Sequence, residues 1–367
     1  MKYMKMAAIA LMALALFSCK NKNNEPSVEA SALSLRINDS ELRALEPEIA
    51  GDTETNITKD VTIKLFPSGR EIHLSDTQIS EAKTAAGTRI KVGETVTHVS
   101  IVKANAEITD ATEITEWQGK QGVFKTDIPL TAPKTAVDTP TKDGDDIIYS
   151  VTLSPVPAFA RLEVFGKIKG QENATSHKNA FDDISVEAVY INNYLLTRNA
   201  TKRYFTAGEN KAFAATPELK GAMMDDNVAT QQADFEAGKV VAGYQLFPKN
   251  TKETIGDELC DHVILKLNIK YSAAAQAAGL PATATRFVTI TQFMKATTGD
   301  LKSFEAGNIY KLDLKELNEH FKTSEDGTPD PSNPDKEDPE QKGDKILVVK
   351  VIAYKWTAVN IKPDLFK

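Results

Sequence analysis

The chain has 367 residues, 41% of them apolar and 26% charged, with a formal net charge of −7 at pH 7. That length suits two domains of ordinary size with a tail left over, and the apolar fraction is adequate for real cores. The acidic balance excludes the basic stripe that nucleic acid demands, so no nucleic-acid partner is expected.

The first eighteen residues read as a removable signal peptide. Lys2 and Lys5 form a basic start, and Ala7 to Phe17 is an uncharged apolar run, shorter than the roughly 20 residues that a membrane anchor needs. It ends in Leu16-Phe17-Ser18-Cys19, a lipobox-like tetrapeptide that predicts cleavage before Cys19 and lipidation of its thiol. The other cysteine, Cys260 in Leu259-Cys260-Asp261-His262, then has no intramolecular partner, and the exported protein has to fold without a disulfide. Cys260 reads as a small hydrophobe. No second Cys-His cluster completes a zinc site, and His73, His98, His177 and His320 are scattered singly.

Strands follow. Leu33, Leu35 and Ile37 alternate with Ser34, Arg36 and Asn38; Val61, Ile63 and Leu65 alternate with Thr62 and Lys64. Val99 with Ile101, and Ile148 to Leu153, repeat the pattern. A period of two puts successive side chains on opposite faces, so each is a strand with one buried face. Asp76 to Ala86 is the clearest helical interlude. A second group runs through Ile184–Ile191, Val240–Phe247, Val263–Tyr271, Phe287–Phe293 and Ile309–Leu314. Many short strands punctuated by turn residues predict an all-β chain of two tandem β-sandwiches. The break is placed in the polar stretch Lys169 to Ala174, giving domains at 44–172 and 173–322.

From Thr323 to Lys345 the chain is nearly all Asp, Glu, Lys, Pro, Ser and Gly, which predicts an extended linker. Its Asp330, Asp335, Glu337 and Asp338 lack the ligand spacing and turn glycine of a calcium loop, so no metal is expected. Beyond it the sequence turns apolar again, with Leu347, Val349, Val351 and Ala353 on one face, Val359 and Ile361 on the same parity, and Trp356 between. A strand so apolar on a tether wants a groove, either in its own domain or in another molecule.

Taken in order, these parts resemble the fimbrillin family of Bacteroidetes, the type V pilus subunits. The parts are the lipobox at Cys19, the early Arg43-Ala44, Val156-Pro-Ala-Phe-Ala-Arg-Leu-Glu-Val164, Ala306-Gly-Asn-Ile-Tyr-Lys-Leu312, and the terminal Trp356-Thr-Ala-Val-Asn-Ile361. The resemblance implies two tandem transthyretin-like sandwiches and a lipoprotein precursor on the outer membrane. It also implies a trypsin-like or Arg-specific protease that cuts between Arg43 and Ala44 and removes a strand spanning roughly Val28 to Arg43. The vacated groove would take the C-terminal strand, Ile346 to Ile361, of the next copy. Partners implied are copies of the chain itself and anchor and tip pilins. Arg36-Ile37 competes as the cut site, but it lies inside the strand, where paired backbone is shielded.

The rival class is a surface glycan-binding lipoprotein, which favours exposed aromatics; the chain has only Trp117 and Trp356 as tryptophans, the latter in the tail strand. No phosphate loop, metal-ligand spacing or Gly-x-Ser-x-Gly elbow is present, so neither an enzyme nor a cofactor is expected. Within the pilins a donor strand favours a shaft subunit over an anchor, and the length leaves no room for the extra domain of a tip.

Overall fold

A computed structural model describes residues 31–37, 42–43, 54–55, 57, 59–118, 128–201, 203–205, 224–249, 261–295, 300–337, 339 and 348–355. Among these the chain is all-β with a few short helices. β1 (Ser31–Ile37) is followed by the two-residue strands β2 (Leu42–Arg43) and β3 (Glu54–Thr55). Next come β4 (Thr62–Phe66), β5 (Glu71–His73), a helix at Asp76–Ala82, β6 (Thr88–Lys91) and β7 (His98–Lys103). After a single tight helical turn at Ile114–Trp117 the chain forms β8 (Leu130–Ala136), β9 (Thr141–Asp143) and β10 (Asp146–Leu153). β11 (Val156–Pro157), β12 (Ala160–Phe165), β13 (Phe181–Asn192), β14 (Met224–Asn227), β15 (Val240–Leu246) and β16 (His262–Tyr271) continue it. The last are β17 (Thr283–Ile290), β18 (Gln292–Lys295), β19 (Asp300–Leu301), β20 (Asn308–Asp313) and β21 (Val348–Lys355).

The chain divides into two compact units. The first takes in residues up to Asn38, Thr62–Ile101 and Ala132–Leu153; the second takes in Asp39–Val61, Val102–Thr131 and everything from Ser154. The first unit is therefore discontinuous, and the division falls inside β7 and β8. One of its sheets runs β6-β1-β10-β9, and the other contains β8-β7-β4-β5. Leu33, Leu35, Ile63, Leu65, Val99 and Leu153 are all fully buried, as their alternation requires. The helix at Asp76–Ala82 starts where Ser75 accepts from the Gln78 N–H while the Gln78 side chain accepts from the Ser75 N–H. That capping box satisfies two donors that a helix start leaves open, and the helix buries Ile79 and Ala82.

The second unit has a β15-β12-β20-β21-β18-β19 sheet and a β14-β13-β16-β17 sheet. Tyr244 of the first donates to the Val189 carbonyl of the second at 3.0 Å. Val189, Ile191, Val263, Leu265 and Leu267 form an unbroken buried row between β13 and β16.

Two boundaries differ from the sequence reading. The break between units falls at Leu153–Ser154 and not in Lys169–Ala174. Val156 to Val164 had read as the end of the first domain, but β12 lies inside the second unit's sheet, antiparallel to β15 and parallel to β20. The polar stretch is a loop of that unit, with the Gln171 N–H donating to the Phe321 carbonyl at 2.8 Å. The expected linker also differs from the reading over Thr323 to Glu337, which is hydrogen-bonded into the second unit. Thr323 and Asn333 are buried, and Lys336 exchanges two backbone hydrogen bonds with Phe287. Polar side chains there find backbone partners, so the segment is ordered without apolar burial.

Candidate functional site

β1 turns the first alternation of the sequence into a strand slot. Leu33, Leu35 and Ile37 are at most 2% exposed, whereas Arg36 on the other face is exposed. β1 runs parallel to β10 along its whole length, from Ser31 opposite Ile147 to Ile37 opposite Leu153. It runs antiparallel to β6 from Ala32 opposite Lys91 to Leu35 opposite Thr88. The register sets Leu33 between Ile90 and Tyr149, and Leu35 between Thr88 and Val151, all of them buried. Burying each such Leu or Ile contributes about 1.5–3 kcal/mol. The strand's start is pinned as well: the Val92 N–H donates to the Ser31 carbonyl at 3.0 Å, and the Ser31 hydroxyl donates to the Glu94 carbonyl at 3.3 Å.

Gly87 closes the slot from one side. Its φ is +71°, and a Cβ there would lie 2.7 Å from the Leu35 carbonyl oxygen and 2.8 Å from Arg36 Cγ. Only glycine tolerates both the conformation and the approach. Taking β1 away would leave β6 and β10 with facing rows of unpaired N–H and C=O groups, a template for another strand. Gly87 was not singled out in the sequence. Its only signal there is a glycine between a short helix and a strand.

The two candidate cut sites lie in different surroundings. The Arg36 backbone is inside β1, in register with Thr152 of β10. Arg43 is in β2, opposite Glu54 of β3 in a ladder of two residue pairs. Ala44, the lipobox Cys19 and Cys260 lie outside the described residues.

The C-terminal strand folds back into its own unit. β21 is parallel to β18, with Val348 to Val351 opposite Gln292 to Lys295, and antiparallel to β20, with Ile352 to Lys355 opposite Lys311 to Asn308. Val349 is the register partner of Phe293, and Ala353 that of Tyr310. Both aromatics are buried, and Phe304 joins them at ring distances of 5.3 and 4.8 Å. Leu347, Trp356, Val359 and Ile361 lie outside the described residues.

A buried charge pair sits on β12, beside the terminal strand β15 of this sheet. Arg161 Nε donates to Glu163 Oε1 at 3.1 Å, and both side chains are fully buried. Gly243 on β15 makes room, since a Cβ there would come within 2.3 Å of Arg161 Nη2. The sequence reading took these residues as part of a family stretch only. An Arg and a Glu two apart in an otherwise apolar run were the available signal. Among the described residues no group of three or more His, Cys, Asp or Glu is placed to hold a metal, and no helix is long and apolar enough to cross a membrane.

No protein-family model and no curated protein matches the chain. Solved structures with similar architecture include a candidate cell adhesion protein from Parabacteroides distasonis ATCC 8503, at 13% identity and TM-score 0.47, covering 89% of this chain and 99% of that one. A fimbrilin from Porphyromonas gingivalis W83 aligns at 12% identity and TM-score 0.46, covering 90% and 99%. A fimbrial assembly protein from Parabacteroides distasonis ATCC 8503 aligns at 13% identity and TM-score 0.30, covering 77% and 90%. These neighbours are Bacteroidetes adhesion proteins and a fimbrilin, the group that the sequence resembles. The likenesses are distant.

Proposed function

We propose that the chain is the precursor of a structural subunit of a fimbrium shaft, polymerising on the cell surface by protease-triggered strand exchange and serving adhesion and colonisation. The observation that carries the reading is β1: an N-terminal strand that fills a slot between β6 and β10, preceded by a lipobox and followed by Arg43. The precursor is lipidated at Cys19 and held by its acyl chains at the outer membrane. A trypsin-like or Arg-specific protease cuts after Arg43, and the segment before Ala44 leaves with the lipid. Opening the two-residue β2–β3 ladder exposes this bond at far less cost than unpairing Arg36 from β10.

The emptied slot then accepts the C-terminal strand of the next copy. Each subunit offers a slot at one position and a strand at another, a heterologous contact that does not close on itself and so yields a fibre. In the isolated chain β21 occupies its own sheet, so exchange begins with its release. Backbone pairing supplies affinity, and alternate side chains seat in pockets. Anchor and tip pilins would begin and end such a filament.

A peptide spanning Lys345 to Lys367 tests this. It should bind the subunit trimmed to Ala44 and ignore the uncleaved precursor, whose slot is full. Equal binding to both forms, or to neither, would overturn the reading and favour a monomeric surface-binding lipoprotein.

A further inference from the structure

We propose that residues 322–337 form an edge guard, a strap that seals β17 so that no strand can add on that side of the second unit. β17 is the terminal strand of the β14-β13-β16-β17 sheet. Such an edge presents unpaired backbone groups to any passing strand, a hazard for any chain that carries an apolar strand at its end. Here the edge is closed at its middle. The Phe287 N–H donates to the Lys336 carbonyl at 2.7 Å, and the Lys336 N–H donates to the Phe287 carbonyl at 2.8 Å. Beside it, Arg286 Nη1 donates to the Thr285 carbonyl at 2.9 Å, and Arg286 Nη2 lies 3.7 Å from Glu337 of the strap.

The strap is built to stay in place. At its root the Thr323 hydroxyl donates to the Gln171 carbonyl and accepts from the Ala180 N–H, both at 2.8 Å. In its middle, Asn333 clasps Lys322 in both directions: Oδ1 accepts from the Lys322 N–H at 2.7 Å, and Nδ2 donates to the Lys322 carbonyl at 3.1 Å. The Asp330 N–H donates to that same carbonyl at 2.9 Å. The strap is also a poor template for further pairing, because Pro329, Pro331 and Pro334 have no N–H to offer. Beneath it, Phe287 belongs to a buried cluster with Ala188, Tyr190 and Ile264. An open edge at this point would expose apolar surface together with backbone, the combination that drives strand-to-strand association.

The test uses the full, uncleaved chain, so its outcome does not depend on processing at Arg43. Asn333→Ala removes both bonds of the clasp. Hydrogen exchange at the Phe287 amide should quicken about tenfold, the scale of one or two lost hydrogen bonds, while amides of β13 keep their protection. Sedimentation should show the variant associating at concentrations where the wild type is monomeric. Arg286→Ala, which leaves the clasp intact, should shift association the same way but less. Should Asn333→Ala disturb β13 as well, Arg286→Ala decides alone. Faster exchange at Phe287 in a protein that stays monomeric would overturn the guard, as would unchanged exchange.

Discussion

β1 and β21 occupy matching positions in their units, each between one parallel and one antiparallel neighbour, yet they stand at opposite ends of the described residues. Ala32 to Leu35 of β1 are paired on both sides, and the strand's parallel ladder runs its full length. Among the described residues β21 pairs with β18 over Val348 to Val351 and with β20 over Ile352 to Lys355. Removing β1 has to break two ladders at once. In the proposed exchange one of these strands is removed by cutting and the other passes to a neighbouring copy.

The largest expected effect comes from separating the two strands chemically. In assembled filaments, mass spectrometry should find subunits that begin at Ala44 without lipid, and Cys19→Ala should abolish surface assembly. Filament subunits still carrying acylated Cys19 would break the proposed division of labour. Next, Leu35→Asp buries an unpaired charge in the doubly bonded slot and should lower precursor stability by about 3–5 kcal/mol in denaturant titration. Val349→Asp with Val351→Asp should leave the first unit's transition where it was and abolish filament growth. Equal loss of precursor stability from both would mean that the slots are equivalent.

Gly87→Ala alters one wall of the first slot. The added Cβ meets Leu35 and Arg36 at a positive φ, so thermal unfolding of the precursor should report a loss of about 1–3 kcal/mol. The same variant, once cleaved, should bind the Lys345–Lys367 peptide more weakly than the wild type. The smallest effect concerns pH and the second unit. Burial pushes the carboxyls of Asp225, Asp226 and Asp335 above the usual carboxylate range. The folded state then holds these protons more tightly than the unfolded state does. Stability from these groups therefore rises as pH falls through their raised values toward the ordinary carboxylate range near 4. The unfolding midpoint of the second unit should move up slightly over that interval.

Both strands were legible in the sequence because a period of two survives whatever the strand pairs with. Leu33, Leu35 and Ile37 announce a buried face without naming β6 or β10. The domain break was not legible, because it depends on pairings remote in sequence. Val156 to Val164 follows directly on β10, and only its pairing with β15 and β20 assigns it to the other unit. The strap was misread for a related reason. Composition reports the apolar area a segment can bury, and this one is held by Thr323, Asn333 and two backbone bonds to Phe287 instead. Gly87 and the Arg161–Glu163 pair were visible as letters, but their importance lies in distances that spacing along the chain does not encode.

The parallel pairing of β1 with β10 also orders events in time. Ser31 leaves the ribosome long before Ile147, its register partner, does. Until then β1 has no parallel neighbour, and its Leu33, Leu35 and Ile37 stay without their full burial. Long-range parallel pairing is a slow step of folding, since the intervening loop has to close first. The first of the described strands to emerge is accordingly among the last to settle, and a chaperone that shields a waiting strand would have its longest wait there.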